Sequence, residues 1–110
     1  MRDEFEVHCD PDGQGATLSG VLRLESPLAY KPLLGPLMEA LERGPACFRL
    51  DLARLSFMNS SGITALSRLI IAARAHDTRL VAVVDDSVLW QRKTLSSLQR
   101  LNPRLEIERA

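Results

Sequence analysis

Four consecutive residues near the middle of the chain, Asn59-Ser60-Ser61-Gly62, carry the side chains best suited to chemistry. An apolar segment typical of a strand precedes them, and apolar residues at helical spacing follow them. Asn and Ser commonly cap helix N-termini, because their short side chains accept hydrogen bonds from the first free N–H groups. The glycine lets another group approach the backbone closely. Two hydroxyls at the positive end of a helix dipole therefore form a phosphorylatable spot that tolerates an anion.

The other reactive residue types do not form a catalytic or metal-binding pattern. The serines lie in no Gly-x-Ser-x-Gly sequence, which would indicate a hydrolase nucleophile. His8 and His76 are the only histidines, and neither has an acid or a cysteine at the spacing of a triad or a metal site. The sequence also lacks a glycine-rich phosphate-binding loop. It therefore predicts a protein that is not an enzyme and that holds no cofactor and no metal.

Length and charge balance narrow the class of protein further. A chain of 110 residues has the size of one domain, so residues 1–110 are expected to form a single domain. The apolar content of 45% is sufficient for a buried core. Lys plus Arg and Asp plus Glu number 14 each, which gives a net charge of zero. This balance argues against nucleic acid or a membrane surface as the partner.

The start of the chain and the cysteines indicate the compartment. Residues 1–4 are charged in three positions and do not begin the apolar core of a signal peptide. The longest apolar run, residues 80–84, is far too short to cross a membrane. Cys9 and Cys47 lie in strand-like patterns, where buried reduced thiols are the ordinary state, and their spacing neither requires nor excludes a disulfide. We expect a cytoplasmic protein.

Alternating apolar residues predict two strands at the start of the chain. Phe5, Val7 and Cys9 define the first strand, and a run of turn-forming residues at 10–15 closes it. The second strand is defined by Ala16, Leu18, Gly20, Leu22 and Leu24. Such a pair separated by a turn is typical of an antiparallel hairpin.

Helices and strands are predicted to alternate along the rest of the chain. A first helix follows Ser26-Pro27, with an irregular start over residues 28–31 because of Pro32 and Pro36, and ends at Gly44-Pro45. The elements expected after it are a strand at 47–52 with Leu55 and Phe57 continuing its apolar pattern, a helix at 61–75, a strand at 80–84, a helix starting near Lys93 or Thr94 and ending at Asn102-Pro103, and an edge strand around Leu105 and Ile107. Helices between strands imply crossover connections. The sequence therefore predicts an α/β fold with a mixed, largely parallel sheet, an antiparallel N-terminal strand and helices packed on the sheet.

Residues 50–63 resemble the signature of STAS domains, the fold of bacterial anti-sigma-factor antagonists. In that family an apolar strand ends in Asp-Leu, a short loop follows, and Asp-Ser-Ser/Thr-Gly begins a helix. The Leu-Asp-Leu of residues 50–52 and the Asn-Ser-Ser-Gly of residues 59–62 are similar to this pattern, and Gly20 matches a glycine of the family's second strand. The predicted order of elements agrees with the family along nearly the whole chain. The resemblance implies a STAS-like sheet.

The resemblance also implies a function and partners. In the family, the first serine of the motif is phosphorylated by a serine kinase of the histidine-kinase-like ATPase type. The same kinase is the anti-sigma factor, since it also sequesters a sigma factor. A PP2C-type phosphatase reverses the modification, and only the dephosphorylated antagonist captures the kinase. By position, Ser60 is the expected phosphoacceptor and Ser61 the second choice. The chain would then be a signalling regulator of transcription that acts by protein–protein binding.

Three residues depart from the family pattern. Asn59 replaces the acid of the motif, and Val21 and Arg23 stand where the family often has Glu and Asp. Asn59 can cap a helix, but it has no charge to orient a hydroxyl or to contact a kinase. Arg23 reverses a charge on a surface expected to lie near the switch. A second interpretation therefore stays open, in which the chain is a constitutive STAS binding or scaffold module that has lost the phosphoswitch.

The expected docking surface is the loop before the second helix together with the first turn of that helix. It comprises Met58, Asn59, Ser60, Ser61, Gly62, Ile63 and Thr64. A flexible Met suits an adaptable interface, but Met58 fits a core position equally well. Trp90 is consistent with a partner contact or with burial under the sheet edge. The basic group Arg92, Lys93, Arg100 and Arg104 is consistent with a patch for an acidic partner or with a solvated helix face.

Overall fold

The structure is a computed structural model that describes residues 4–110. Residues 1–3, which carry two of the three charges in the argument against a signal peptide, lie outside the described residues. The strands are β1 (Phe5–Cys9), β2 (Gly15–Leu22), β3 (Cys47–Asp51), β4 (Leu55–Met58), β5 (Arg79–Val84) and β6 (Glu106–Arg109). The α-helices are α1 (Lys31–Glu42), α2 (Ser60–Ala75) and α3 (Leu89–Leu101).

The six strands form one mixed sheet. Their order is β1-β2-β3-β5-β6, and β4 pairs with β2 outside this path. β1 and β2 are antiparallel, with Phe5 opposite Gly20 and Cys9 opposite Ala16. Every other pair of strands is parallel. The predicted α/β fold, with a largely parallel sheet and an antiparallel N-terminal strand, is confirmed.

β4 is a separate strand, which the sequence pattern did not predict. β2 pairs with β3 through its first residues and with β4 through its last ones. The change of partner coincides with an irregularity at Gly20, whose φ is +92°. A Cβ at this position would lie 2.1 Å from the carbonyl oxygen of Glu4, so only glycine fits there. Leu50, Leu52 and Leu55 thus belong to two strands and a turn between them, in place of one continuing pattern.

One apolar cluster joins the helices to one face of the sheet, and includes Leu18, Phe48, Leu50 and Leu80. β5 is buried from Leu80 to Val84, so this strand is covered on both faces, as its continuous apolar run of residues requires. On the face away from the cluster, an ion pair joins Arg49 of β3 to Glu108 of β6. Because β5 lies between these two strands, the ion pair crosses over it and covers Val81 and Val83.

The helix boundaries confirm one prediction and correct another. The irregular start before α1 is a 3₁₀ helix over Pro27–Tyr30, and the hydroxyl of Ser26 accepts a hydrogen bond from the Ala29 N–H at 3.2 Å. The prediction that the last helix starts near Lys93 or Thr94 is wrong, because α3 begins at Leu89 and no side chain caps it. None of the helices between residues 4 and 110 has the length and apolar character to cross a membrane.

Candidate functional site

Asn59 is the N-cap of α2, and its side chain joins three segments of the chain. Its Oδ1 accepts hydrogen bonds from the Gly62 N–H at 3.0 Å and from the Tyr30 hydroxyl at 2.7 Å. Its Nδ2 donates to the carbonyl oxygen of Leu24 at 2.8 Å. We call these four residues the Asn59 hub. A carboxylate could not donate to Leu24, so the structure gives a physical reason for an amide at this position.

Tyr30 is the member of the hub that the sequence pattern did not reveal. It is fully buried, and its hydroxyl both donates to Asn59 and accepts from the Leu24 N–H at 3.2 Å. A phenol is protonated at neutral pH, and burial raises the pKa of Tyr30 further above its ordinary value. In the sequence Tyr30 occupies one of the apolar helical positions. The one available signal was that a buried Tyr hydroxyl needs a polar partner.

Gly62 allows the hub to form inside the molecule. A Cβ at this position would lie 2.5 Å from the Met58 Cγ and 2.8 Å from the Tyr30 hydroxyl oxygen. The group that approaches the glycine backbone is therefore a side chain of the same chain. Gly62 is buried and Met58 is 1% exposed, which corrects their assignment to the docking surface. Both residues shape the site from within.

The exposed part of the predicted surface is smaller and centres on Ser60. Ser60 and Thr64 are exposed, one helical turn apart, and the Thr64 hydroxyl donates to the Ser60 carbonyl oxygen at 3.0 Å. Asn59, Ser61 and Ile63 are half-buried, and Ile63 packs against the core. The Ser60 hydroxyl makes no hydrogen bond to any residue from 4 to 110. It is therefore available to a modifying enzyme or to a partner.

Arg23 adds a positive charge beside this surface. It follows Leu22, whose carbonyl oxygen accepts a hydrogen bond from the Asn59 N–H at 3.1 Å. The Arg23 guanidinium carbon lies 4.3 Å from the centroid of the Phe57 ring, within the range of a cation–π interaction. The arginine is exposed, so the charge reversal noted in the sequence lies at the surface of the protein.

The other candidate residues lie away from this surface or are buried. Trp90 is 8% exposed, and its Nε1–H donates to the Leu55 carbonyl oxygen at 2.7 Å, which decides for burial. Arg104 pairs with Asp77 at 2.7 Å. Arg92 and Arg100 lie near opposite ends of α3, about 12 Å apart along its axis, so the basic residues do not form one compact patch.

Neither the thiols nor the acidic side chains of the described chain form a reactive cluster. Cys9 and Cys47 are free thiols on strands separated by β2, and burial raises the pKa of Cys9. Between residues 4 and 110, no three His, Cys, Asp or Glu side chains lie together in a group that could hold a metal ion.

The site is a helix start with a fixed cap and one outward-facing hydroxyl. The buried Asn59 hub sets the position of the helix, and the exposed Ser60 is the group on which chemistry can act. No family model matches the sequence, and a search of curated proteins finds no match.

Proposed function

We propose that this chain is a STAS-type regulator that acts by binding another protein, and that phosphorylation of Ser60 controls the binding. The observation that carries the proposal is the separation of roles at the start of α2. The hydrogen bonds that cap the helix come from Asn59, whereas the exposed Ser60 hydroxyl bonds to no described residue. Modification of Ser60 therefore removes none of the bonds of the hub.

The physical effect of a phosphate at this position supports a switch of the surface without unfolding. A phosphate adds about −1.5 to −2 charges at neutral pH. At Ser60 the charge would lie at the positive end of the α2 dipole, where anions are stabilised by roughly 0.3–1 kcal/mol. The fold would be kept while the exposed surface around Ser60 and Thr64 becomes strongly negative. A partner that fits the neutral surface would then be repelled or lose its contacts.

The resemblance to anti-sigma-factor antagonists names the partner chemistry for this proposal. The modifying enzyme would be a serine kinase of the histidine-kinase-like ATPase type that is also the captured anti-sigma factor. A PP2C-type phosphatase would restore the binding form, and the exchange would take place in the cytoplasm. In this proposal the chain itself performs no catalysis.

The second candidate function is that of a constitutive binding module, and the hydrogen bonding of Asn59 supports it. Both polar atoms of the Asn59 side chain are used inside the hub. The residue therefore offers a kinase no charge, and only its second Nδ2–H is left outside the hub. In this candidate function the same surface binds its partner at all times.

A quantitative pull-down separates the two functions. Wild type, Ser60→Ala and Ser60→Asp are compared for recovery of the same kinase partner, with Ser61→Ala as the matched control. A phosphoswitch predicts that Ser60→Asp lowers the affinity at least about tenfold, or ~1.4 kcal/mol, while both alanine variants bind like wild type. Equal recovery with all variants would remove the switch and leave the constitutive module. Intact mass after incubation with kinase and ATP provides a second measurement, in which one added phosphate must disappear in Ser60→Ala.

A further inference from the structure

A groove of about 390 Å³ lies between α2 and the segment formed by the 3₁₀ helix and α1. Its apolar lining includes Leu28, Leu34, Met38 and Leu69. Leu28 is 72% exposed, the largest exposed fraction among the large apolar side chains described. Tyr30 also lines the groove and donates its hydroxyl hydrogen bond to Asn59. The groove therefore begins next to the candidate site but does not include Ser60.

A glycine in the wall of the groove leaves the α1 backbone open at that point. Gly35 lies in the interior of α1, where glycine costs roughly 0.5–1 kcal/mol relative to alanine. Its neighbour Pro36 gives a local reason for the glycine, because the proline ring crowds a preceding Cβ in a helix. Apart from the chain neighbours and the helix backbone, a Cβ built on Gly35 would meet no atom within 4 Å. The glycine thus also keeps the groove wall free of a side chain, so that another molecule can approach the α1 backbone.

Four charged side chains line the groove, three on the α1 wall and one on the α2 wall. Lys31 is the first residue of α1, and Glu39 and Glu42 follow about 12–16 Å farther along the same helix. Arg68 stands on the α2 wall. These four side chains are exposed and form no ion pair with another residue of the described range 4–110. One end of the α1 wall is thus positive and the other end is negative.

We propose that this groove binds an amphipathic helix of a protein partner, antiparallel to α1. The apolar face of the partner helix, with residues at i, i+3, i+4 and i+7, covers Leu28, Leu34 and Met38. Its positive N-terminal end lies beside Glu39 and Glu42, and its negative C-terminal end lies beside Lys31. The inference rests on the proposed function, because it assumes that the chain works by binding a protein and adds a second contact surface to Ser60.

The two ends of opposite charge favour a helix over a small amphiphilic acid. The carboxylate of a fatty acid could pair with Lys31, but its apolar tail would then lie beside Glu39 and Glu42. A helix of two to three turns spans the same length of about 12–16 Å. It carries opposite partial charges at its two ends, so it complements both ends of the wall.

The test uses a displayed library of helical peptides of about 18 residues, roughly five turns. Apolar residues are fixed at i, i+3, i+4 and i+7, and the remaining positions are random. Panning on the full unphosphorylated chain is expected to enrich peptides with Lys or Arg beside the first fixed apolar residue and Asp or Glu beside the last one, about 10 Å farther along the helix. In a ¹H–¹⁵N spectrum such a peptide shifts the Gly35 amide resonance, because Gly35 lines the groove, and leaves Gly13, outside it, unchanged.

Three variants test the groove residues in the same binding assay. Leu28→Glu and Gly35→Gln should each weaken the enriched peptides at least about tenfold. Both substitutions leave tertiary packing unchanged, since Leu28 is largely exposed and, beyond the chain neighbours and the helix backbone, no atom lies within 4 Å of a Gly35 Cβ. Double reversal of Glu39 and Glu42 to Lys should select peptides with the opposite charge at the N-terminal end. The matched control reverses the exposed Glu4 and Glu6 of the first strand region and should change nothing.

Any of three results would overturn the inference. The first is that panning enriches no peptide. The second is that the enriched peptides bind the Leu28→Glu and Gly35→Gln variants as tightly as they bind wild type. The third is that dodecanoate shifts the Gly35 resonance whereas the peptides do not. Failure of the groove is distinguishable from failure of the switch. Panning does not involve Ser60. If the groove binds no peptide, an effect of Ser60→Asp on the kinase pull-down would still support the switch. If that effect is missing, peptide binding would still support the groove.

Discussion

Replacement of Asn59 by Asp restores the acid of the motif that the chain resembles, and we predict that it destabilises this protein. The variant keeps an oxygen that can accept from the Gly62 N–H and the Tyr30 hydroxyl. It loses the Nδ2–H that donates to the Leu24 carbonyl oxygen at 2.8 Å and places a second carboxylate oxygen there. The wild-type donor is therefore replaced by a repulsive contact between two acceptors.

The size of the effect follows from two opposing contributions. Leaving the Leu24 carbonyl without its donor costs about 1–3 kcal/mol. A carboxylate at the helix N-terminus returns about 0.3–1 kcal/mol, and Asp and Asn are otherwise equivalent as N-caps. Because Asn59 is half-buried, the lower part of the range applies, and the net loss is about 1 kcal/mol. For a domain of this size that corresponds to a melting temperature lower by roughly 4 °C.

The assay is urea unfolding followed by circular dichroism at neutral pH. The matched control is Ser60→Asp, which adds the same charge one residue farther along, at an exposed position outside the hub. It should be neutral or slightly stabilising, by up to about 1 kcal/mol. If Asn59→Asp proved as stable as wild type, the hydrogen bond to Leu24 would not explain the asparagine. The reasoning that links the hub to the missing acid would then be refuted.

Three further predictions concern two buried residues and the ion pairs on the face of the sheet away from the apolar cluster. Gly62→Ala should lower the free energy of unfolding by about 1–3 kcal/mol, because the added methyl group overpacks the site. Urea unfolding measures this change, and an unchanged midpoint would contradict the described packing. Trp90→Phe should cost about 1 kcal/mol because the indole hydrogen bond to Leu55 is lost, with a lower urea midpoint and an unchanged m-value. Arg79 of β5 donates hydrogen bonds to Glu106, as Arg49 does to Glu108, and these bonds hold the pKa values of both glutamates below the ordinary value. The stability from these pairs is thus present above the ordinary pKa of about 4.3 and lost as pH falls through the lower folded values. In melting scans from pH 7 to 3, the Glu106→Gln, Glu108→Gln double variant should lose less stability than wild type, and an equal loss would contradict this.

Most of the fold was predictable because its elements have clear periodicity. α2 and β5 follow from apolar residues at helical spacing and from a continuous apolar run, and both lie where the sequence places them. β4 was missed because Leu55–Met58 is only four residues long and its apolar positions continue the pattern of β3. The start of α3 was missed because Trp90 and Gln91 serve contacts with residues 52 and 55, which sequence spacing cannot reveal.

The candidate site was predictable in its residue types but not in its connections. The cap at Asn59 and the exposed Ser60 follow from local preferences of helix N-termini. The bonds of Asn59 to Tyr30 and Leu24 span 29 and 35 residues of chain, so only the tertiary fold creates them. The burial of Met58 and Gly62 has the same origin, because both pack within the fold around Tyr30.

The turn between β3 and β4 has a consequence for the order in which the protein is made. At this turn the carbonyl oxygens of Leu52 and Leu55 accept hydrogen bonds from the side chains of Trp90 and Gln91 in α3. In a growing chain that ends before α3, the Leu52 oxygen can accept only from the Leu55 N–H, at 2.9 Å in the folded protein, and water must replace the side-chain donors of Trp90 and Gln91. The turn at residues 52–55 can therefore form from its own backbone bond, but it gains its full set of hydrogen bonds only after α3 has been synthesised. Although β4 and the start of α2 are translated much earlier, the carbonyl groups at this turn thus wait for the last quarter of the chain to exchange water for protein donors.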